Sequence, residues 1–322
     1  MKIRNIYLCN LKVILIFCVV LGHALERDIH ANHTAQMIYR TLYLFHMPLF
    51  TFLSGLGMKK SSSCFKQMCT ALKIYLCAQG VVLLFFLIVQ PESISHHLTR
   101  PYWHLWYLLS LSCWCLLTGV LLEVLRCVPA AKIKHLKAVI FVSAVALGLL
   151  CGCFSGVGRE FSLSRTIVFL PFFLAGAFWG QGIIARTSGY CKFFPIVLPI
   201  AAALFFLCEK LPVSFLYHAA GYHTFGMASL YGIVARLLCY ITSVAFSTLI
   251  LVLCPKKKYL TTQMGCDTLM IYLLHPLFIP VLLYIPYAPQ DSLLISLILA
   301  VYAAAGISLS FRWTRGIYIV HL

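Results

Sequence analysis

The chain has 322 residues, of which 62% are hydrophobic and 10% are charged, and its formal net charge is +17 at pH 7. Soluble domains carry roughly 25% charged residues, so the composition excludes an ordinary soluble enzyme and indicates an integral membrane protein. The basic residues lie mainly in loops between apolar runs, which is a topology signal and does not indicate nucleic-acid binding.

Apolar runs of roughly the length of a bilayer core predict ten membrane-spanning helices. The expected fold class is all-α, a polytopic membrane protein that forms a single transmembrane domain over residues 1–322. Most Lys and Arg residues fall in every second loop, and the positive-inside rule places these loops and both termini in the cytoplasm. The predicted spans are residues 11–25, 39–58, 74–91, 104–125, 138–154, 165–182, 193–208, 229–254, 268–286 and 293–311.

The first span carries two ionisable residues near its outer end. At 1.5 Å per residue, His23 lies about 16 Å along the helix from Lys12, past the middle of the membrane. Glu26 follows His23 by one helical turn, so its carboxylate can orient the imidazole. Ionisable groups inside a membrane are costly and indicate a functional site; the alternative is an interfacial pair wetted by lipid headgroups.

The second span places His46 at a similar depth, close before Pro48, which removes a backbone hydrogen bond. Because the loop between the spans is short, His23 and His46 are expected to be neighbours. Arg40 begins this span. Its side chain is expected to extend to the membrane surface, with the binding of an anionic group as the alternative.

The outer end of the fourth span is rich in aromatic and histidine side chains. An interfacial aromatic belt explains Trp106 but explains His104 less well, and a mouth that stacks rings on sugar faces is the alternative. Arg165, at the outer end of the sixth span, either anchors its helix or faces an acyl, phosphate or sugar group.

Two later spans also carry ionisable residues. Arg236 lies about two turns inside the eighth span, where a carboxylate or a bound ligand is the expected partner. His275 lies near the middle of the ninth span. It either belongs to the site or bonds to a backbone carbonyl that Pro280 leaves free.

The 15 cysteines do not form a disulfide or metal pattern. No CxxC pair occurs, so zinc and thioredoxin-type sites lack their spacing. Most cysteines lie in apolar runs, where a free thiol packs as a small hydrophobic group. Cys153 and Cys208 are the one pair worth testing for a disulfide. No metal and no bound cofactor are expected.

Five strings together resemble the acyltransferase-3 family of ten-span membrane acyltransferases, and they cover nearly the whole chain. The first two, with the Gly-His pair and the FHMPLF run, are the more specific. The strings are LKVILIFCVVLGHALE, YLFHMPLFTFLSG, HLWYLLSL, LPFFLAGAFWG and YLLHP.

The resemblance implies that His23 is the catalytic histidine and Lys12 the basic residue that precedes it. Members of the family commonly carry Asp three residues before that basic residue, whereas this chain has Cys9 there. The resemblance further implies transfer of an acetyl or other small acyl group from acetyl-CoA or another acyl-CoA to a cell-surface or lipid-linked glycan. The expected location is the cell membrane, the bacterial plasma membrane in the simplest case.

In an acyltransferase of this kind, His23 would act as the general base with Glu26 orienting its ring, or would form an acyl-histidine intermediate. His46 would donate to the developing oxyanion or bind the acceptor. Lys12, Arg40, His104, Trp106, Arg165, Arg236 and His275 are the candidates for binding substrate or donor. The alternative is a proton-coupled secondary transporter that uses the intramembrane histidines and Glu26 as a relay.

Overall fold

The computed structural model describes residues 5–187, 194–279 and 292–320, and these ranges contain helices, turns and no strand. Short 3-10 turns join several of the helices. The helices are α1 (Ile6–Leu25), α2 (His33–Gly55), α3 (Ser61–Val89), α4 (Ile94–Thr99), α5 (Trp106–Arg126), α6 (Ala130–Leu150), α7 (Leu163–Thr187), α8 (Phe194–Glu209), α9 (Ser229–Leu253), α10 (Thr268–Leu274) and α11 (Ser292–Val320).

Seven stretches of the described ranges are long and apolar enough to cross a membrane. This confirms the all-α polytopic fold, while the count of ten spans and the cytoplasmic termini stay predictions. Helix α2 is not among the seven because its polar residues lower its hydropathy, and α8 and α10 are short. The predicted span 268–286 extends beyond residue 279 and lies partly outside the described residues.

The described residues fall into two compact units. The first unit draws on Met1–His46, Thr187–Phe205 and Ser243–Leu322, and the second on Met47–Arg186 and Phe206–Thr242. A single domain over the whole chain stays a prediction.

In the first unit, α1 packs against α10, α11 and the turn Leu260–Cys266. A buried polar residue ties the N-terminal end of α1 to this packing. Asn10 Nδ2 donates to the carbonyl oxygens of Pro255 and Lys257 at 2.8 and 2.9 Å, and Thr262 Oγ1 donates to Asn10 Oδ1 at 2.7 Å. These bonds satisfy the buried amide, which would otherwise destabilise the fold.

Pro48 leaves one carbonyl of α2 without its helical donor, and a side chain of the first unit supplies the bond. Pro48 has no N–H, so the carbonyl of Leu44, four residues earlier, loses its helical donor. Ser243 Oγ donates to this carbonyl instead. The helix therefore continues through Pro48 to Gly55, and the segment that carries His46 keeps its helical geometry.

In the second unit, α2 and α7 approach each other at glycines. A Cβ added at Gly55 would collide with the carbonyl oxygen of Phe173, and one added at Gly176 would collide with that of Phe52. Small residues that let backbones meet are the usual device for packing helices in a membrane. Neither carbonyl can move aside as a side chain could.

Gly176→Ala is therefore expected to lower the free energy of unfolding by at least about 2 kcal/mol, because the added methyl group overpacks a backbone contact. The measurement is an SDS titration of the purified protein, followed by circular dichroism. Gly182→Ala, on the same helix, is the matched control because its Cβ would meet open space. Equal unfolding midpoints for the two variants would refute the close approach.

Candidate active site

The site in the first unit begins at the end of α1. His23 Nδ1 lies 3.3 Å from Glu26 Oε1, and the two side chains are 14% and 33% exposed. The pair arises from the one-turn spacing at the helix terminus, as the sequence predicts. The spacing thus brings the imidazole and the carboxylate into contact, and both side chains stay partly accessible.

Two tyrosines of α2 complete the surroundings of the carboxylate. Tyr43 and Tyr39 donate their hydroxyls to Glu26 Oε1 at 3.1 and 3.4 Å, and their rings stack with centroids 4.1 Å apart. A Cβ added at Gly22 would lie 3.3 Å from the Tyr43 ring. The glycine of the Gly-His pair thus lets this tyrosine approach α1.

These contacts keep Glu26 ionised. Burial raises the pKa of the carboxyl, but the hydrogen bond and charge of His23, followed by the hydroxyls of Tyr43 and Tyr39, lower it more, so the net pKa is below the ordinary 4.5. The carboxylate is therefore present at neutral pH and can hold a proton donor on His23 Nδ1.

His46 and His275 both have their Nδ1 atoms bonded within their own helical turns. His46 Nδ1 lies 2.5 Å from the carbonyl oxygen of Leu42, and His275 Nδ1 lies 3.0 Å from that of Ile271. Since a carbonyl oxygen can only accept, each Nδ1 carries the proton. In the neutral ring each Nε2 is then an acceptor, not a donor.

The structure brings three of the predicted histidines and Glu26 together in the first unit. The His275 ring stacks on His23 with centroids 5.3 Å apart and planes at 28°. The Tyr43 ring meets His46 edge-on at 5.0 Å while its hydroxyl bonds to Glu26. His275 thus has both the backbone bond that the sequence offered as the alternative and a contact with His23.

Two other predicted residues of this unit lie apart from that cluster or differ from expectation. Lys12 is exposed near the opposite end of α1. Arg40 is buried, with 8% of its surface exposed. Its side chain therefore does not extend to the surface as predicted, because the protein around α2 covers it.

The second unit holds the remaining predicted residues. The Arg165 guanidinium lies 4.8 Å from the Trp106 ring centroid and its Nε donates to the carbonyl of Tyr217 at 3.0 Å. The Trp106 indole also stacks on Phe169 at 5.6 Å. His104 is also buried, and its ring meets Trp103 edge-on with centroids 6.2 Å apart. Trp106 is therefore packed between a cation and a ring within the protein.

Arg236 has no carboxylate partner among the described residues, and the bound ligand that the sequence offered as the alternative stays a prediction. It is fully buried on α9, and it donates to the carbonyls of Gly148 and Ala220 at 3.1 and 3.4 Å and to Cys151 Sγ at 3.2 Å. Its guanidinium lies 4.6 Å from the Tyr222 ring centroid. Among the described residues it makes no salt bridge; backbone dipoles and an aromatic face take that place because α6 ends beside it.

Residues that the sequence interpretation missed are the partners of these groups. Tyr39 and Tyr43 stand one turn apart on α2, with His46 a further turn along, so their helical spacing was a usable signal. Tyr222 had no such signal, because it lies in a 3-10 turn far from Arg236 in sequence. Cys153 and Cys208, the pair proposed for a disulfide test, are both free thiols.

Comparison with known proteins and families identifies a family. No curated protein and no solved structure matches the chain. A family model described as an acyltransferase domain matches residues 5–312, which is nearly the whole chain and includes the cluster around His23. Together with the apolar helices, this match confirms what the five strings indicated: the chain belongs to the acyltransferase-3 family and is a membrane acyltransferase.

Proposed function

We propose that the protein transfers an acetyl or other small acyl group from acyl-CoA to a hydroxyl, or an amine, of a cell-surface or lipid-linked carbohydrate in a bacterial plasma membrane. The observation that carries this proposal is the 3.3 Å contact of His23 Nδ1 with a carboxylate that two tyrosines hold. A base oriented by a third group is the recurring arrangement for activating a hydroxyl.

The proposed chemistry starts at Nε2 of His23, the ring nitrogen that does not face Glu26. With the proton of Nδ1 directed to Glu26, Nε2 takes the proton of the acceptor hydroxyl as its oxygen bonds to the thioester carbonyl carbon. The tetrahedral intermediate then expels the CoA sulfur, and the C–S bond breaks. The imidazolium returns its proton to the leaving thiolate, so the enzyme is regenerated without a bound cofactor.

The tautomer of His46 favours one of its two predicted roles. With Nδ1–H bonded to Leu42, the neutral ring has only an acceptor at Nε2. Such a ring suits holding the acceptor hydroxyl and does not suit stabilising an oxyanion, which needs a donor. His275 stacks on His23 and would keep its ring in place, which makes it a positioning residue.

Of the candidates in the second unit, Arg165 suits the binding of an anionic group of the acceptor. The Trp106 ring lies against the Arg165 guanidinium and stacks on Phe169, so it would position the cation and would not stack on a sugar. Arg236 binds carbonyls of its own unit and is assigned a structural role.

The test uses the purified full chain in proteoliposomes with radiolabelled acetyl-CoA and extracted cell-envelope glycans. Transfer of label to the glycan, with one free CoA thiol released per acyl group, is the expected result. Release of acetate without any labelled glycan would remove the carbohydrate acceptor from the proposal. Absence of any acyl-CoA turnover, together with pH-dependent substrate uptake into the vesicles, would support the proton-coupled transporter instead.

Glu26→Gln is expected to lower kcat about 10²-fold, since an amide can no longer hold the imidazole as the carboxylate does. In the wild type the lowered pKa of Glu26 means that its contribution is complete above the ordinary 4.5 and is lost only as the pH falls through the lowered value. We therefore expect kcat of the wild type between pH 5 and 8 to show no loss from protonation of Glu26.

The measurement is kcat against pH for both proteins, with Glu92→Gln as the control for a carboxylate outside the cluster. One outcome would contradict the lowered pKa: kcat of the wild type falls at low pH with a midpoint above the ordinary carboxyl pKa, and kcat of Glu26→Gln shows no such fall. Equal kcat values for wild type and Glu26→Gln would remove Glu26 from the mechanism.

A further inference from the structure

The second unit contains a cavity of about 710 Å³ that takes no part in the chemistry described above. Its walls come from the chain after α2 and from α5, α6 and α7. The volume falls in the range of small-molecule sites. Its polar and aromatic lining includes Lys59, Lys137, Phe178, Trp179 and Arg186.

The charge of this cavity is of one sign. Lys59, Lys137 and Arg186 line it, and no Asp or Glu does. The salt bridges found among the described residues involve other side chains. Positive-inside topology accounts for basic residues in these loops, but it does not require three of them to meet in one concave site. Uncompensated cations in a cleft concentrate anions there.

The wall beside these cations is aromatic. The Trp179 indole packs edge-on against Phe141 and Phe178, each with centroids 5.5 Å apart. Lys137 Nζ lies 5.4 Å from the Phe178 ring centroid. The cavity thus sets cations next to packed aromatic rings, the combination that binds a phosphorylated planar base.

Three glycines of α7 line the cavity, and one of them, Gly182, has open space beside it. A Cβ added at Gly182 would meet no heavy atom within 4 Å. The site can therefore be filled by a side chain from Gly182 without a collision within the protein. This supplies a variant that blocks the space and leaves the charges in place.

We propose that this cavity binds the phosphate-bearing nucleotide portion of the acyl-CoA donor, an assignment that rests on the proposed function. The phosphates would lie against Lys59, Lys137 and Arg186, and the purine against the rings of Phe178 and Trp179. An anionic lipid headgroup shares the phosphate chemistry. It lacks a planar base for the aromatic wall, so the observations favour the nucleotide.

The first experiment removes one charge. Binding of unacylated CoA to the detergent-purified full chain is measured by calorimetry for wild type, Lys137→Gln and Lys134→Gln. Lys134 is an exposed lysine of the same helix outside the cavity. Lys137→Gln is expected to raise the Kd for CoA about 10-fold, the effect of losing one charge-assisted contact, and Lys134→Gln to leave it unchanged. The wild type is expected to bind 3′-dephospho-CoA and phosphopantetheine more weakly than CoA, because the first lacks one phosphate and the second lacks the adenosine.

The second experiment fills the space. Gly182→Leu is expected to raise the Kd for CoA and the KM for acetyl-CoA at least about 10-fold, with a melting temperature like that of wild type. Gly80→Leu is the matched control, because Gly80 is also helical and its Cβ would also meet open space. Unchanged CoA binding in both Gly182→Leu and Lys137→Gln, with acetyl transfer intact, would overturn the assignment while the acyltransferase function stands.

The third arm separates the two sources of phosphate. Wild type and Lys137→Gln are titrated with vesicles of phosphatidylglycerol and of phosphatidylcholine. No CoA binding and no transfer in wild type, with phosphatidylglycerol binding that Lys137→Gln weakens, would make the cavity a lipid site and would refute both the donor assignment and the acyl-CoA proposal. Preference for CoA over both lipids supports the inference.

Discussion

His23→Ala is expected to lower kcat for acyl transfer by at least about 10³-fold, while the protein still inserts and folds. General-base contributions are typically 10²–10⁴-fold, and this histidine is the one of the cluster in contact with the Glu26 carboxylate. Its side chain is only 14% exposed, so folding of the variant is checked by its SDS unfolding midpoint. The measurement is single-turnover transfer from radiolabelled acetyl-CoA.

The matched control is His30→Ala, because His30 is an exposed histidine in the loop that follows α1. It is expected to transfer label at the wild-type rate. Acid-quenched samples of wild type separate the two versions of the chemistry: label retained on the protein supports an acyl-histidine, and its absence supports the general base. Equal transfer by His23→Ala and His30→Ala would show that His23 is structural.

Arg236→Ala is expected to lower the free energy of unfolding by about 3–5 kcal/mol, one of the largest effects of a single substitution in this chain. The side chain is fully buried and binds the carbonyls of Gly148 and Ala220. Removing it leaves these acceptors unpaired and opens a cavity under the Tyr222 ring. The end of α6 and the segment before α9 lose their common contact.

The measurement is the SDS midpoint and the rate of proteolysis between α8 and α9. Arg236→Met keeps most of the volume but no donor, so its destabilisation isolates the hydrogen bonds and is expected to be smaller than that of Arg236→Ala. Arg159→Ala, an exposed arginine of the same unit, is expected to change stability by less than about 0.5 kcal/mol. A midpoint for Arg236→Ala equal to that of Arg159→Ala would contradict the structural role.

The sequence was enough to predict that the long helices exist, but it was not enough to predict where they begin and end. Hydropathy located the apolar part of the long helices, but α2 begins at His33 and α3 at Ser61, well before the predicted 39 and 74. Polar residues at the ends of a membrane helix continue the backbone hydrogen bonds after the apolar run has stopped, and a hydropathy window cannot detect them.

The sequence by itself determined that the chain is an all-α membrane protein, that His23 and Glu26 share a helix face, and which family it belongs to. These depend on composition, on the 3.6-residue turn and on local strings, all of which are read along the chain. Only the tertiary structure decided that Tyr39 and Tyr43 hold the carboxylate, that His275 stacks on His23, and that Arg236 has carbonyl partners. Those contacts join side chains and carbonyls of different helices and turns, and their partners are set by which elements pack together, a choice that one sequence read alone does not contain.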